Sequence, residues 1–153
     1  MNDERAARRG PGEGVILLVE DNPDEQVLTE RAFRKNGISN QIVVARDGVE
    51  AVAYLFGTAG SVVRPLPVVV LLDLKLPKMG GLQVLERLRA DERTRRIPVV
   101  VLTSSDEDRD YAESRRLGAD SYVRKPVDFN EFTETVRQMW PLWLRGLGIE
   151  GDT

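Results

Sequence analysis

The 153-residue chain contains no cysteine and no histidine. Without cysteine there is no disulfide framework, no zinc–thiolate site and no thiol nucleophile. Without histidine there is no Ser-His-Asp triad, no imidazole metal ligand and no phosphohistidine of the chain's own. Its chemistry must rest on carboxylates, hydroxyls, lysine or arginine. Long apolar runs are missing too, since none approaches the roughly 20 residues of a membrane helix. Net charge is only −3, a balance that does not call for nucleic acid. The densest basic cluster (Arg87, Arg89, Arg93, Arg95, Arg96) is interleaved with Glu86, Asp91 and Glu92. It reads as a solvated helix end and loop rather than a phosphate-binding stripe. Residues 1–13 are charged, lack a hydrophobic stretch of signal-peptide type, and read as a disordered tail on a cytoplasmic protein. At 41% hydrophobic and 31% charged, the chain suits one globular domain.

What is present is organised around Val68-Val69-Val70-Leu71-Leu72-Asp73-Leu74-Lys75-Leu76-Pro77. Five apolar residues lead straight into a carboxylate, and a turn with Gly80-Gly81 follows. An unbroken apolar run of this kind fits a strand covered on both faces, as in the middle of a parallel sheet. Asp73 then stands at the strand's carboxyl end, where open α/β sheets bind their ligands.

The rest of the chain repeats the pattern. Val15–Val19 is a second apolar run, ending in Glu20-Asp21. Asn22 reads as a helix N-cap, with Pro23 at the first helical position and Glu25 closing a capping box. That helix runs to about Asn36 and stops at Gly37. Ile42–Val44 is a short strand, and Asp47-Gly48-Val49-Glu50 opens a helix through about Phe56. Gly57–Pro67 is a long loop. A helix carries Leu82, Val84, Leu85 and Leu88; a strand spans Pro98–Leu102 and leads into Thr103-Ser104-Ser105. Asp106, Glu107 and Asp108 begin the next helix, which ends at Leu117-Gly118. Ser121–Val123 forms a fifth strand before Arg124-Lys125-Pro126, and Asp128 caps a last helix with Phe132, Val136, Met139, Trp140 and Trp143 on one stripe. Pro141 is expected to kink or end that helix. Five strands alternating with five helices predict an α/β domain with a parallel sheet and right-handed crossovers.

In a parallel sheet every strand's carboxyl end lies on one edge. That edge collects Glu20, Asp21, Asp73, Thr103, Ser104 and Lys125. Two like charges ~4 Å apart repel by ~1 kcal/mol in water and ~4 kcal/mol at an effective dielectric of 20. A hard cation such as Mg²⁺ would relieve the three carboxylates, and a lysine with a hydroxyl suits a phosphoryl group.

With Glu20-Asp21, Asp73, Thr103 and Lys125-Pro126 at the ends of strands one, three, four and five, the chain resembles the receiver domain of bacterial two-component response regulators over about residues 14–140. The resemblance implies a flavodoxin-like (βα)5 sheet in the order 2-1-3-4-5. It implies that Asp73 is the phosphoacceptor, taking a phosphoryl group from a sensor histidine kinase. Glu20, Asp21, Asp73 and the backbone carbonyl of Lys75 would hold Mg²⁺. Thr103 would contact the phosphoryl oxygens and Lys125 would neutralise them. Tyr122 would be the switch aromatic that follows Thr103, and Pro126 is expected to follow a cis bond. The Gly57–Pro67 loop, the Asp73–Met79 turn and the Trp-containing C-terminus are more narrowly similar to the small regulators paired with bacterial phytochrome kinases. Lys75 and Gly80 depart from the commoner receiver pattern of a neutral polar residue and Asp.

Other readings stand beside these. Asp21 and Asp73 could each be helix caps, and Tyr122 could be an edge-strand ring with a wetted hydroxyl. Trp143, Leu144, Leu147 and Ile149 lie beyond Pro141 in residues 141–153, an extension that either folds back on the domain or meets a partner. The family habit of pairing through the last helices favours a homodimer involving Trp140, Trp143 and Leu144. Among other functions, an aspartyl-phosphate phosphatase would usually carry a second acid where Lys75 stands. A receiver fold without its chemistry would not need the acid set. A nucleotide site would need a Gly-rich loop after the first strand, where Glu20-Asp21-Asn22-Pro23 would repel a pyrophosphate.

Overall fold

The computed structural model describes residues 14–57, 65–76, 78–103, 108–124 and 128–144, with the backbone alone for 103, 108 and 109. Among them, strands β1 (Val15–Val19), β2 (Gln41–Ala45), β3 (Val69–Leu72), β4 (Val99–Thr103) and β5 (Ser121–Arg124) form one parallel sheet in the order β2-β1-β3-β4-β5. Helices α1 (Pro23–Lys35), α2 (Gly48–Phe56), α3 (Gly81–Ala90), α4 (Asp108–Arg116) and α5 (Phe129–Leu144) alternate with the strands. This is the flavodoxin-like order that the resemblance implied.

Two cores explain why the strands are continuously apolar. Ile16, Leu18, Val69, Leu71, Val100 and Leu102 pack on one face with Phe33 of α1 and Phe132, Val136 and Trp143 of α5. Leu17, Val19, Val70 and Leu72 point the other way, to Ala51 and Leu55 of α2 and Val84, Leu85 and Leu88 of α3. Successive strand residues face opposite sides, so only a run without polar interruptions serves both layers. β2 lies at the sheet's edge, and its residues are correspondingly more exposed.

The helix starts follow their caps. Asn22 Oδ1 accepts the Asp24 and Glu25 N–H groups at 2.9 and 3.1 Å. Asp47 Oδ1 accepts Glu50 N–H at 2.8 Å, and Asp128 Oδ1 accepts Asn130 N–H at 2.8 Å. At α1 the N-cap's own N–H is received by Glu20 Oε2, at 3.3 Å, a role the sequence assigned to Glu25.

Of the two outcomes expected at Pro141, a kink or an end, the end does not occur: α5 continues to Leu144 with Pro141 inside it. An interior proline forfeits a backbone bond and costs about 3 kcal/mol. Continuation brings Trp143 onto the stripe of Phe132 and Val136, where it is 1% exposed and stacked on Phe33 at 6.5 Å and 26°. Burial of that ring is of the same size as the proline penalty. Trp143 is therefore core rather than interface. Trp140 is half-buried, edge-on to Phe33 at 5.6 Å. Leu144 alone of the three is exposed, and Leu147 and Ile149 lie outside the described residues.

The arginine cluster is also not simply solvated. Arg89 donates from Nε and Nη2 to Gly118 O at 3.0 and 2.8 Å, and from Nη1 to Arg95 O at 3.0 Å and Ile97 O at 2.8 Å. Its Nη2 also meets Asp120 Oδ2 at 2.8 Å, and that oxygen accepts Val99 N–H at 2.8 Å. Burial pushes the Asp120 carboxyl up and the Arg89 guanidinium down, each against its partner's attraction. Arg87 and Arg93 lie over the Phe56 ring, 4.8 and 5.5 Å from its centre.

Candidate functional site

Sheet register brings the candidate residues together. Val19 of β1 pairs with Leu72 of β3, and Asp73 N–H donates to Val19 O at 3.1 Å. Glu20 and Asp73 thus leave adjacent strands at one level. Carboxylate oxygens of Glu20, Asp21 and Asp73 lie within 4.8 Å of one another. Glu20 is 1% and Asp73 8% exposed, whereas Asp21 faces solvent. Leu72 pairs with Val101, which puts Thr103 one residue past the level of Asp73 on β4, and Thr103 pairs with Arg124 of β5. The Thr103 side chain, Ser104, Lys125 and Pro126 lie outside the described residues, and so do the roles expected of them.

The Glu20 backbone and the Asp73 carboxylate are held locally. Glu20 N–H donates to Ala45 O at 2.9 Å, and the Glu20 carbonyl accepts Gln26 Nε2 at 2.8 Å. Asp73 Oδ1 accepts Lys75 N–H at 3.0 Å, so the phosphoacceptor candidate closes an Asx turn with the residue expected to offer its carbonyl. Two buried carboxylates and an exposed third, all oxygen donors, suit a hard divalent cation that keeps several waters. The donor set fits the expected Mg²⁺.

The turn after Asp73 is tightly seated. A Cβ on Gly81 would come within 2.7 Å of Leu74 Cα and nearer still to Asp73 O. A Cβ on Gly48, in α2, would come within 2.6 Å of Met79 Cβ and nearer still to Met79 O. Neither neighbour is visible in the sequence, where Gly81 reads only as a turn glycine and Gly48 only as part of a helix start. Gly80 differs: it has φ −72° and nothing closer to an added Cβ than Gln83 Oε1 at 4.0 Å, so a side chain would be tolerated there. Gln83 Oε1 accepts Gly80 N–H at 3.1 Å.

Tyr122 is half-buried on β5, and Tyr111 of α4 stands edge-on to it at 4.8 Å and 87°. Arg115 Nη1 donates to Tyr111 Oη at 3.1 Å. The expected switch aromatic therefore has a second aromatic against it, which the sequence did not single out.

The response regulator receiver domain model matches residues 16–137. The chain belongs to the response regulator receiver family. A curated relative, the probable methanogenesis regulatory protein FilR2 of Methanothrix harundinacea, is 43% identical over 130 residues, covering 85% of this chain and 83% of that protein. Response regulator Rcp1 of Synechocystis sp. is 34% identical over 130 residues, covering 85% and 88%. The Mn²⁺-bound form of Rcp1 superposes with a TM-score of 0.76, covering 92% of this chain and 98% of that one. The bacteriophytochrome response regulator AtBRR is 46% identical, with a TM-score of 0.70 and coverage of 85% and 94%. This receiver chain thus has similarity to regulators of phytochrome signalling and to a relative whose structure holds a divalent cation.

Proposed function

We propose that the protein is a phosphoacceptor switch in which Asp73 takes a phosphoryl group from the phosphohistidine of a sensor histidine kinase. An Asp73 carboxylate oxygen attacks phosphorus in line; the P–N bond breaks as the P–O bond forms, and the departing imidazole nitrogen takes up a proton. The observation that carries the reading is the meeting of Glu20, Asp21 and Asp73 oxygens within 4.8 Å at the carboxyl edge of a receiver sheet. Glu20, Asp21, Asp73 and the Lys75 carbonyl would hold Mg²⁺, which when bound neutralises charge that builds on the phosphoryl oxygens. Thr103 and Lys125 complete the phosphoryl contacts, and Tyr122 reports the change to the surface. The chain catalyses only its own phosphorylation and the loss of that group.

Similarity to AtBRR supports a bacteriophytochrome kinase as the partner, in the cytoplasm. Among the described residues no helix is long and apolar enough to cross a membrane. The exposed Leu144 supports a homodimer; sedimentation as a monomer at tens of micromolar, with and without phosphorylation, would sink that part.

Intact-mass spectrometry after incubation with a small acyl-phosphate donor tests the central claim. We expect one phosphoryl adduct on the native chain with Mg²⁺, none with chelator, and none on Asp73→Asn. A folded native chain that acquires no adduct overturns the reading. Transfer from an autophosphorylated bacteriophytochrome kinase, faster than from an unrelated kinase, is the expected outcome for the pairing.

A further inference from the structure

The turn that carries the phosphoacceptor is gripped from a helix start remote in sequence. Met79 packs on the core beneath α2 and α3, and its carbonyl sits where a side chain of Gly48 would be. Next to Met79, Lys78 adopts φ 64°, a left-handed conformation that residues with a Cβ rarely take. Such conformations persist where surrounding contacts over-determine them, and they gather at functional sites. The contact that accompanies it is an ion pair: Lys78 Nζ lies 3.7 Å from Asp47 Oδ2, while the other Asp47 oxygen caps α2. At the far end of the turn, Gly81 N–H donates to Leu74 O at 3.2 Å, and the missing Gly81 side chain makes room for Asp73 O. Between these two points lies Lys75, whose N–H holds Asp73 Oδ1.

We infer that Gly48 is a positioning residue for the phosphoacceptor turn, with the Asp47–Lys78 pair as its latch. The start of α2 seats Lys78 and Met79, and with the Gly81–Leu74 bond this fixes the Asp73 carboxylate and the Lys75 carbonyl. The inference rests on the reading of this edge as a cation-assisted phosphoacceptor site. A Cβ at Gly48 cannot be relieved by rotating a flexible side chain, because the nearest atom it meets belongs to the backbone of Met79. Either the turn or the start of α2 must move. Shifts of about 1 Å at such a site are worth about 100-fold in rate, and loss of a supporting contact around a metal costs 10–100-fold in affinity.

The experiment measures Mn²⁺ affinity on the full chain, by the electron paramagnetic resonance signal of free Mn²⁺, beside the metal-free urea midpoint and the rate of labelling by an acyl-phosphate donor. For Gly48→Ala we expect Mn²⁺ binding about 10–100-fold weaker and labelling slowed by a similar factor, with native circular dichroism. Gly80→Ala, two residues beyond Lys78 in the same turn but with open space around it, is expected to bind within about twofold of the native chain. A second variant separates the latch from simple charge effects. In Lys78→Met one positive charge is lost from the turn that follows Asp73, so electrostatics alone would tighten Mn²⁺ binding. Release of the latch instead weakens it, by about two- to fivefold for an exposed ion pair.

A folded Gly48→Ala protein that binds Mn²⁺ as tightly as the native chain overturns the inference, even if its urea midpoint has dropped. Should Gly48→Ala not fold, Lys78→Met decides: tighter or unchanged binding overturns it. A native chain that binds no Mn²⁺ overturns the site reading itself, and with it this inference.

Discussion

Replacing Asp73 by asparagine should abolish phosphorylation, yet it should also make the metal-free protein more stable. Three carboxylates whose oxygens lie within 4.8 Å of one another repel. At that separation a pair costs about 3–4 kcal/mol at an effective dielectric of 20 and about 1 kcal/mol in bulk water. Glu20 is buried and Asp21 exposed, so the Asp73–Glu20 repulsion sits nearer the first limit and the Asp73–Asp21 repulsion nearer the second. Asparagine removes the charge but keeps an Oδ1 that can accept Lys75 N–H, so the local turn is preserved. After allowance for what else surrounds the cluster, we expect a gain of about 1–3 kcal/mol in chelator, or roughly 2–10 °C in melting temperature for a domain of this size. Mg²⁺ should narrow that gap. A cation at 100 times its dissociation constant stabilises the native chain by about 2.7 kcal/mol, and the variant, with one ligand charge fewer, by distinctly less. Urea titrations followed by circular dichroism, with chelator and with Mg²⁺, check both arms. An Asp73→Asn chain less stable than native in chelator, or stabilised equally by Mg²⁺, would refute the view that these carboxylates strain the apo fold in readiness for a cation.

Two further outcomes concern the scaffold. Arg89→Met strips Asp120 of its ion pair and leaves the Gly118, Arg95 and Ile97 carbonyls without that donor, for a loss of about 2–4 kcal/mol at pH 7, somewhat below the roughly 3–5 kcal/mol for breaking a fully buried pair because the two side chains are 18% and 26% exposed. Burial already raises the Asp120 carboxyl above its ordinary value; without Arg89 it rises further. A carboxyl raised in the folded state contributes stability at pH below its unfolded value and loses it as pH climbs through the folded one. The variant's deficit should therefore shrink as pH falls from 7 toward 5, and a deficit that grows instead would contradict this assignment. Trp143→Ala should cost about 3–5 kcal/mol, whereas Trp143→Phe should cost far less. The indole Nε1 is buried without a hydrogen-bond partner among the described residues, so its removal forfeits little; thermal melts of the two variants distinguish a core ring from a partner-facing one, for which both changes would be nearly silent.

The parts legible in the sequence were those set by short-range rules. Asn22, Asp47 and Asp128 declare helix starts because a cap acts within three residues, and the apolar runs at Val15–Val19 and Val69–Leu72 declare double-sided burial because strand periodicity is local. Glu20, Asp21 and Asp73 were legible as a cluster because parallel topology alone sends strand ends to one edge. What was missed depends on contacts between distant segments. Arg89 looks like one of five surface arginines until folding brings Gly118 and Asp120 to it. Pro141 reads as a breaker until the Phe33 ring, more than a hundred residues earlier, is seen to hold Trp143. Gly48 looks like an ordinary helix-start residue because the backbone that excludes its side chain belongs to the segment after β3.

Glu20 gives the cleft and the first helix a common anchor. Its Oε2 receives the N–H of Asn22, and its carbonyl receives the side chain of Gln26, while Asn22 in turn caps α1. The opening turn of α1 is thus hung from a residue that faces the carboxylate cluster. Any charge that draws the Glu20 carboxylate toward the cleft pulls on that helix through the torsions of one side chain, without rearranging the sheet. One side chain thus separates the carboxylate cluster from the opening turn of α1, and α1 should sense the state of the cleft in its own right.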